Sequence, residues 1–172
     1  MTHHAATRAP GYLVSCDPSL LDCDELHRFL STEAYWCLGL PRDVMERSLA
    51  NSINFGVYDT HAPRGHEGIA GGSRAGDLPR LVGFARIVTD RATFAYLCDV
   101  YIIESYRGRG LSKFLMEAVL AHPDLQGLRR ITLMTRDAHG LYEKFGFGYL
   151  DNPKRMMQLY IPDMYRSSPG RR

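Results

Sequence analysis

The sequence predicts an α/β fold, of the α+β kind in its chain order, with one mixed sheet flanked by helices. Three observations carry that expectation. Segments of helical apolar spacing and short β-branched or aromatic runs follow one another as strand, two helices, two or three antiparallel strands, helix, strand, helix, strand. The run from Phe94 to Ile103 is nearly continuously apolar, as suits a strand buried on both faces. A chain of 172 residues, 45% hydrophobic and 23% charged, supplies one compact core and is too short for two ordinary domains.

Taken in order, Tyr12 to Ser15 suits a short strand, and Leu20 to Leu30 places apolar residues at 20, 21, 26, 29 and 30 on one helical face. A second helix runs from Pro41, a residue tolerated in a first turn, to about Asn51. The aromatic link Tyr35-Trp36-Cys37-Leu38-Gly39 joins the two. Ile53 to Asp59 and Arg80 to Val88 read as an antiparallel pair. Between them, Thr60 to Leu78 is longer than ordinary hairpin loops and has almost nothing to bury, so disorder is favoured over a functional lid.

After the apolar strand, Gly110 to His122 places Leu111, Phe114, Leu115, Ala118 and Val119 on one helical face, and His122-Pro123 stops it. Ile131 to Thr135 reads as a strand, Ala138 to Phe145 as a short helix capped by Asp137, and Met156 to Tyr160 as a closing strand. One domain is expected over residues 1–165, with 166–172 a basic, disordered tail.

Composition excludes several classes. No apolar run approaches the roughly 20 residues of a membrane span, and MTHHAATRAPG lacks the apolar stretch of a signal peptide, so a cytoplasmic protein without membrane partners is expected. The cysteines Cys16, Cys23, Cys37 and Cys98 form no CxxC pair, so neither zinc, nor any other metal, nor a disulfide framework is indicated. A net charge of +2 with both signs mixed gives no basic face for nucleic acid.

The chemistry concentrates in Arg107-Gly108-Arg109-Gly110-Leu111-Ser112, directly before an amphipathic helix. Glycines let successive backbone N–H groups point into one concavity, and the helix brings its unsatisfied N–H groups and positive dipole end to the same place. Diphosphate is the natural ligand, with Arg107, Arg109 and Ser112 able to add hydrogen bonds. Neither GxxxxGK[ST] nor GxGxxG is met, which disfavours an ordinary nucleotide-phosphate enzyme.

Arg107-x-x-Gly110-x-Ser112 resembles the [RQ]-x-x-G-x-[GA] motif of the GNAT N-acetyltransferases, with Ser112 where Gly or Ala is usual. Ala138-His139-Gly140-Leu141-Tyr142-Glu143-Lys144-Phe145-Gly146-Phe147 resembles the element that closes that family's cofactor site, and Asp99-Val100-Tyr101-Ile102 resembles the strand leading into the turn. Thr135 stands where the family often has Asn.

The resemblance implies a mostly antiparallel sheet of six to seven strands with about four helices, splayed between the fourth and fifth strands, counting from Tyr12. Acetyl-CoA would enter that splay, with Val100, Tyr101 and Ile102 along the pantetheine, Arg107 to Ser112 at the pyrophosphate, and Thr135 as a further cofactor contact. Tyr142 is implied as proton donor to the departing thiolate. Asp99, the sole carboxylate of its apolar strand, is a candidate base or amine-binding group, or the partner of a nearby Arg. Tyr35, Trp36, Arg86 and Phe94 are expected near the acceptor, a small-molecule or peptide amine. Homodimers are common among similar proteins. The alternative reading is a noncatalytic acyl-CoA-binding or regulatory module of the same fold.

Overall fold

A computed structural model of the chain describes residues 5–7, 11–63, 78–161 and 164–165. Six strands form one sheet in sequential order: β1 (Ala5–Thr7), β2 (Tyr12–Ser15), β3 (Ile53–Pro63), β4 (Pro79–Thr89), β5 (Phe94–Ile102) and β6 (Arg130–Leu133). All neighbours are antiparallel except β5 and β6, which run parallel. The helices are α1 (Cys23–Thr32), α2 (Arg42–Ala50), α3 (Leu111–Leu120) and α4 (His139–Tyr142), the last continuing into a 3-10 turn, Glu143–Phe145.

The central strands are sandwiched between helices. On one face α3 lays Leu111, Phe114, Leu115, Ala118 and Val119 over Val14, Phe55, Val57, Val82, Ala85 and Leu97. On the other, Leu26, Phe29 and Leu30 of α1 and Met45 and Leu49 of α2 pack with Tyr58, Leu81, Phe84 and Tyr101. Burial on both sides is why the middle of β4, and β5, lack a polar face. Helix α1 starts where Asp22 accepts the Glu25 backbone N–H at 3.0 Å, and Pro41 sets the start of α2.

The parallel pairing covers only part of β5. Phe94 to Leu97 pair with Arg130 to Leu133, and from Cys98 onward β5 continues beside β4 alone. This is the expected splay; the additional strand β1 moves it from the fourth and fifth strands to β5 and β6.

Two sequence expectations are corrected. The loop placed over Thr60 to Leu78 is shorter, because β3 runs to Pro63 and β4 begins at Pro79 with those two residues opposite each other. Its remainder, 64–77, lies outside the described residues, as does the tail 166–172. The closing strand over Met156 to Tyr160 is absent: residues 148–161 are all exposed and pair with no strand. Alternating apolar residues make a segment competent for a strand, but a strand needs a neighbour for its N–H and C=O groups.

Candidate active site

The turn after β5 has the backbone that its glycines foretell. Gly108 and Gly110 sit at φ +76° and +78°, the left-handed region, and a Cβ at either would meet nothing within 4 Å. Gly110 is the N-cap of α3 and provides no side-chain cap. The first-turn N–H groups of α3, Leu111 to Lys113, therefore have no intrahelical acceptor and no side-chain cap. An uncapped helix end facing open space beside a splayed strand fits a diphosphate joined to an extended amide chain.

The two arginines do something the sequence did not specify. Arg107 Nε donates to the Ile102 carbonyl at 3.2 Å. Arg109 donates to Tyr12 Oη at 2.8 Å and to the Ser105 carbonyl at 3.1 Å, and its guanidinium lies 4.6 Å from the Tyr106 ring centroid. Tyr106 in turn donates to Asp59 at 2.9 Å. Both guanidiniums thus brace the turn, while the backbone amides are left facing out. Leu111 is buried in the core beneath the turn, and Ser112 occupies the first turn of α3.

Beyond the last β5–β6 pair, the two edges of β5 are used differently. The Ile103 N–H donates to Val82 on β4, so strand alternation directs the backbone groups of Val100 and Ile102 to the open edge and those of Tyr101 toward β4. The Tyr101 side chain is buried and stacks on Phe29 with ring centroids 3.7 Å apart. Tyr101 is therefore a core residue that holds β5 on α1, a correction to its expected cofactor contact.

Asp99 lies where β5 bulges, with φ +55°. Its Oδ2 accepts Arg86 Nε at 2.7 Å and its Oδ1 accepts Trp36 Nε1 at 3.1 Å. Arg86 also donates to Ser52 Oγ at 3.1 Å. Burial opposes the Arg86 charge, but the Asp99 carboxylate outweighs it and holds the guanidinium above its ordinary range. The Arg partner considered for Asp99 is thus Arg86. On the next turn of chain, Trp36 meets Tyr35 edge to face at 5.0 Å, and the Arg136 guanidinium sits 3.8 Å over the Tyr35 ring.

Tyr142 is buried, its ring edge-on to Phe147 at 5.9 Å. Burial, with smaller contributions from Tyr35 and Asp137, pushes its hydroxyl up to about 12. Burial likewise pushes the Cys98 thiol up to about 12, leaving it a packing residue.

Two further assignments change. Phe94 opens β5 and pairs with Arg130, at the closed end of the splay. Five residues of strand, about 17 Å, separate it from Asp99, so it is not part of this cluster. Thr135, not Asp137, orders the entry to α4: Thr135 Oγ1 accepts the Ala138 N–H at 3.0 Å, whereas Asp137 pairs with Arg136 at 3.5 Å in solvent. Sequence reasoning missed Arg136 and Ser52, neither of which carries a local signal. It also missed an open cleft of about 360 Å³ between Tyr35–Leu38 and residues 159–161, 164 and 165.

No cluster of His, Cys, Asp and Glu able to hold a metal occurs among the described residues, and none of the described helices is long and apolar enough to cross a membrane.

The sequence profile of the Acetyltransferase (GNAT) family matches residues 24–147, which contain the splay, the turn and Tyr142. A protein of Gibberella zeae assigned to the acetyltransferases is 35% identical over 137 residues, covering 77% of this chain and 76% of that relative. A crystal structure of a protein assigned to the GNAT family, from Xanthomonas campestris pv. campestris, is 43% identical, with a TM-score of 0.77 over 92% of this chain and 99% of that one. Glucosamine-6-phosphate N-acetyltransferase from Arabidopsis thaliana shares the fold at 13% identity, with a TM-score of 0.55 over 87% of this chain and 97% of its own. Likeness in sequence and likeness in shape thus agree, and the chain belongs to the GNAT acetyltransferase family.

Proposed function

We propose that this chain is an acetyl-CoA-dependent N-acetyltransferase that moves the acetyl group directly to a primary amine. The observation that carries the reading is the open β5 edge from Cys98 to Ile102 leading to the uncapped, left-handed turn at Gly108 and Gly110. Acetyl-CoA supplies a thioester when bound. The backbone groups of Val100 and Ile102 bind its amide chain as a sheet edge binds a strand, and the amides of residues 108–113 bind its pyrophosphate.

Tyr142 Oη holds a proton throughout the neutral range, because burial raises it to about 12, and gives that proton to the departing sulfur. The Val100 N–H polarises the carbonyl. Asp99 orients the acceptor: each carboxylate oxygen accepts one hydrogen bond already and retains a lone pair for an ammonium, which loses one proton to solvent before the neutral amine attacks; the C–N bond forms as the C–S bond breaks, and the proton shed by the new amide nitrogen passes to solvent, from which the Tyr142 oxygen is reprotonated. Tyr35, Trp36 and Arg86 surround it on the acceptor side.

The test is a screen of an amine library, small amines and peptides together, with thiol detection of released CoA. Turnover with one class supports the reading and identifies the acceptor. Thermal stabilisation by acetyl-CoA with no turnover on any amine would replace it by a noncatalytic acyl-CoA-binding module.

A further inference from the structure

Three strands place side chains in one row beside the glycine turn. Tyr12 of β2 pairs with Asp59 of β3, and Asp59 pairs with Arg80 of β4, so all three leave the sheet on the same face. Asp59 is the junction of the row. Its Oδ1 accepts the backbone N–H groups of His61 at 2.9 Å and Ala62 at 3.3 Å, where β3 shifts register before Pro63. Its Oδ2 accepts the Tyr106 hydroxyl at 2.9 Å. One carboxylate thus serves the end of β3 with one oxygen and the turn with the other.

Tyr106 meets the row from the turn side. It ends the 3-10 turn Glu104–Tyr106, is buried, and lies edge-on to the Tyr12 ring at 6.3 Å. Burial first, and the bond to Asp59 second, raise its hydroxyl above the ordinary range, so it remains a donor. Three residues on, Arg109 returns to the same row, donating to Tyr12 Oη at 2.8 Å with its guanidinium 4.6 Å from the Tyr106 ring centroid. These two anchors flank Gly108, and the buried Leu111 follows Gly110. Glycine loses more conformational freedom on ordering than any other residue, and each of the two left-handed glycines here stands between fixed neighbours.

We infer that Asp59 and Tyr106 are positioning residues of the cofactor site: they hold the turn on the row of β2–β4, so that its backbone amides stand ready for a diphosphate before one arrives. The inference rests on the acetyl-CoA reading above and assigns neither side chain a contact with the ligand. Donors ordered during folding spare the ligand the cost of ordering them on binding. A pair that only stabilised the fold would change the melting temperature and leave the affinity of the folded protein as it is.

The test titrates the full-length protein with CoA by isothermal titration calorimetry, which needs no acceptor amine, and follows thermal unfolding alongside. Tyr106→Phe keeps the ring beside Tyr12 and Arg109 and removes the bond to Asp59. It should weaken CoA binding about tenfold while the melting temperature falls by no more than about 3 °C. Asp59→Ala should weaken binding at least as much, and adding Tyr106→Phe to it should change the affinity by less than about twofold, because the two residues act through one bond. Asp59→Asn retains an oxygen for His61 and Ala62 and offers an amide N–H to Tyr106 Oη, so it should stay within about threefold of wild type. Should Asp59→Ala fail to fold, Tyr106→Phe and Asp59→Asn decide the matter. Wild-type affinity in Tyr106→Phe, or losses that multiply in the double variant, overturns the inference alone. A wild type that binds no CoA overturns the acetyl-CoA reading and the inference with it.

Discussion

Arg86 Nε lies 2.7 Å from Asp99 Oδ2, and both side chains are largely buried, 17% and 13% exposed, at the point where β5 parts from β6. A buried pair is weak evidence of net stability, yet breaking it from one side strands a charge. Asp99→Asn is the informative change, because Asn tolerates the left-handed backbone at φ +55° that Ala would strain. It should cost on the order of 3 kcal/mol in urea unfolding, by leaving Arg86 uncompensated. It should also lower kcat/KM for the amine about tenfold or more while the KM for acetyl-CoA stays near wild type. Unchanged stability would mean that solvent screens the pair.

Tyr142 provides a prediction in activity and one in pH. Tyr142→Phe keeps the ring against Phe147 and removes the proton, so kcat should fall about 100-fold with little change in acetyl-CoA binding. The folded protein holds this hydroxyl near 12, above its ordinary value of 10. The protonated form is therefore favoured by folding. The resulting stability is fully present below pH 10 and is lost as pH rises toward 12. Buried Tyr101 titrates in the same direction, so the comparison is wild type against Tyr142→Phe. Wild type should lose on the order of 2 kcal/mol more than the variant between pH 9 and about 12.

Gly110→Ala separates backbone strain from ligand binding. The new Cβ meets no protein atom within 4 Å, so stability should fall only by the left-handed penalty of about 1 kcal/mol. The methyl group projects into the open space before the α3 amides, where the pyrophosphate is proposed to lie. The KM for acetyl-CoA should rise about tenfold or more, measured alongside thermal unfolding. A loss of stability without any change in KM would remove the turn from the cofactor site.

The turn was legible because its requirement is local: two glycines in left-handed conformation must be written at their own positions. The splay was legible through resemblance, and its place in the chain was right once β1 was counted. The Trp36–Asp99 hydrogen bond spans 63 residues, and the Arg86–Asp99 pair depends on a bulge that shifts register by one residue. Neither is encoded in spacing. Tyr101 shows the same limit, since a strand residue's alternation says that it faces one side but not which side holds the ligand. Met156–Tyr160 has the pattern of a strand, and pattern does not name the neighbour.

Thr135 tests how far a family position can be carried over. Its Oγ1 accepts the Ala138 N–H, a local turn that sets the start of the segment bearing Tyr142. Thr135→Val is close to isosteric and removes that acceptor, so it should cost about 1 kcal/mol and lower the melting temperature by about 3 °C. Thr135→Ser should restore both. Asp137→Ala, which removes only an exposed pair with Arg136, should stay within about 0.5 kcal/mol of wild type. A direct contact to the cofactor predicts the reverse: the KM for acetyl-CoA rises in Thr135→Val while the melting temperature holds. The hydrogen bond to Ala138 favours the first pattern, with kcat moving alongside stability because the turn positions Tyr142.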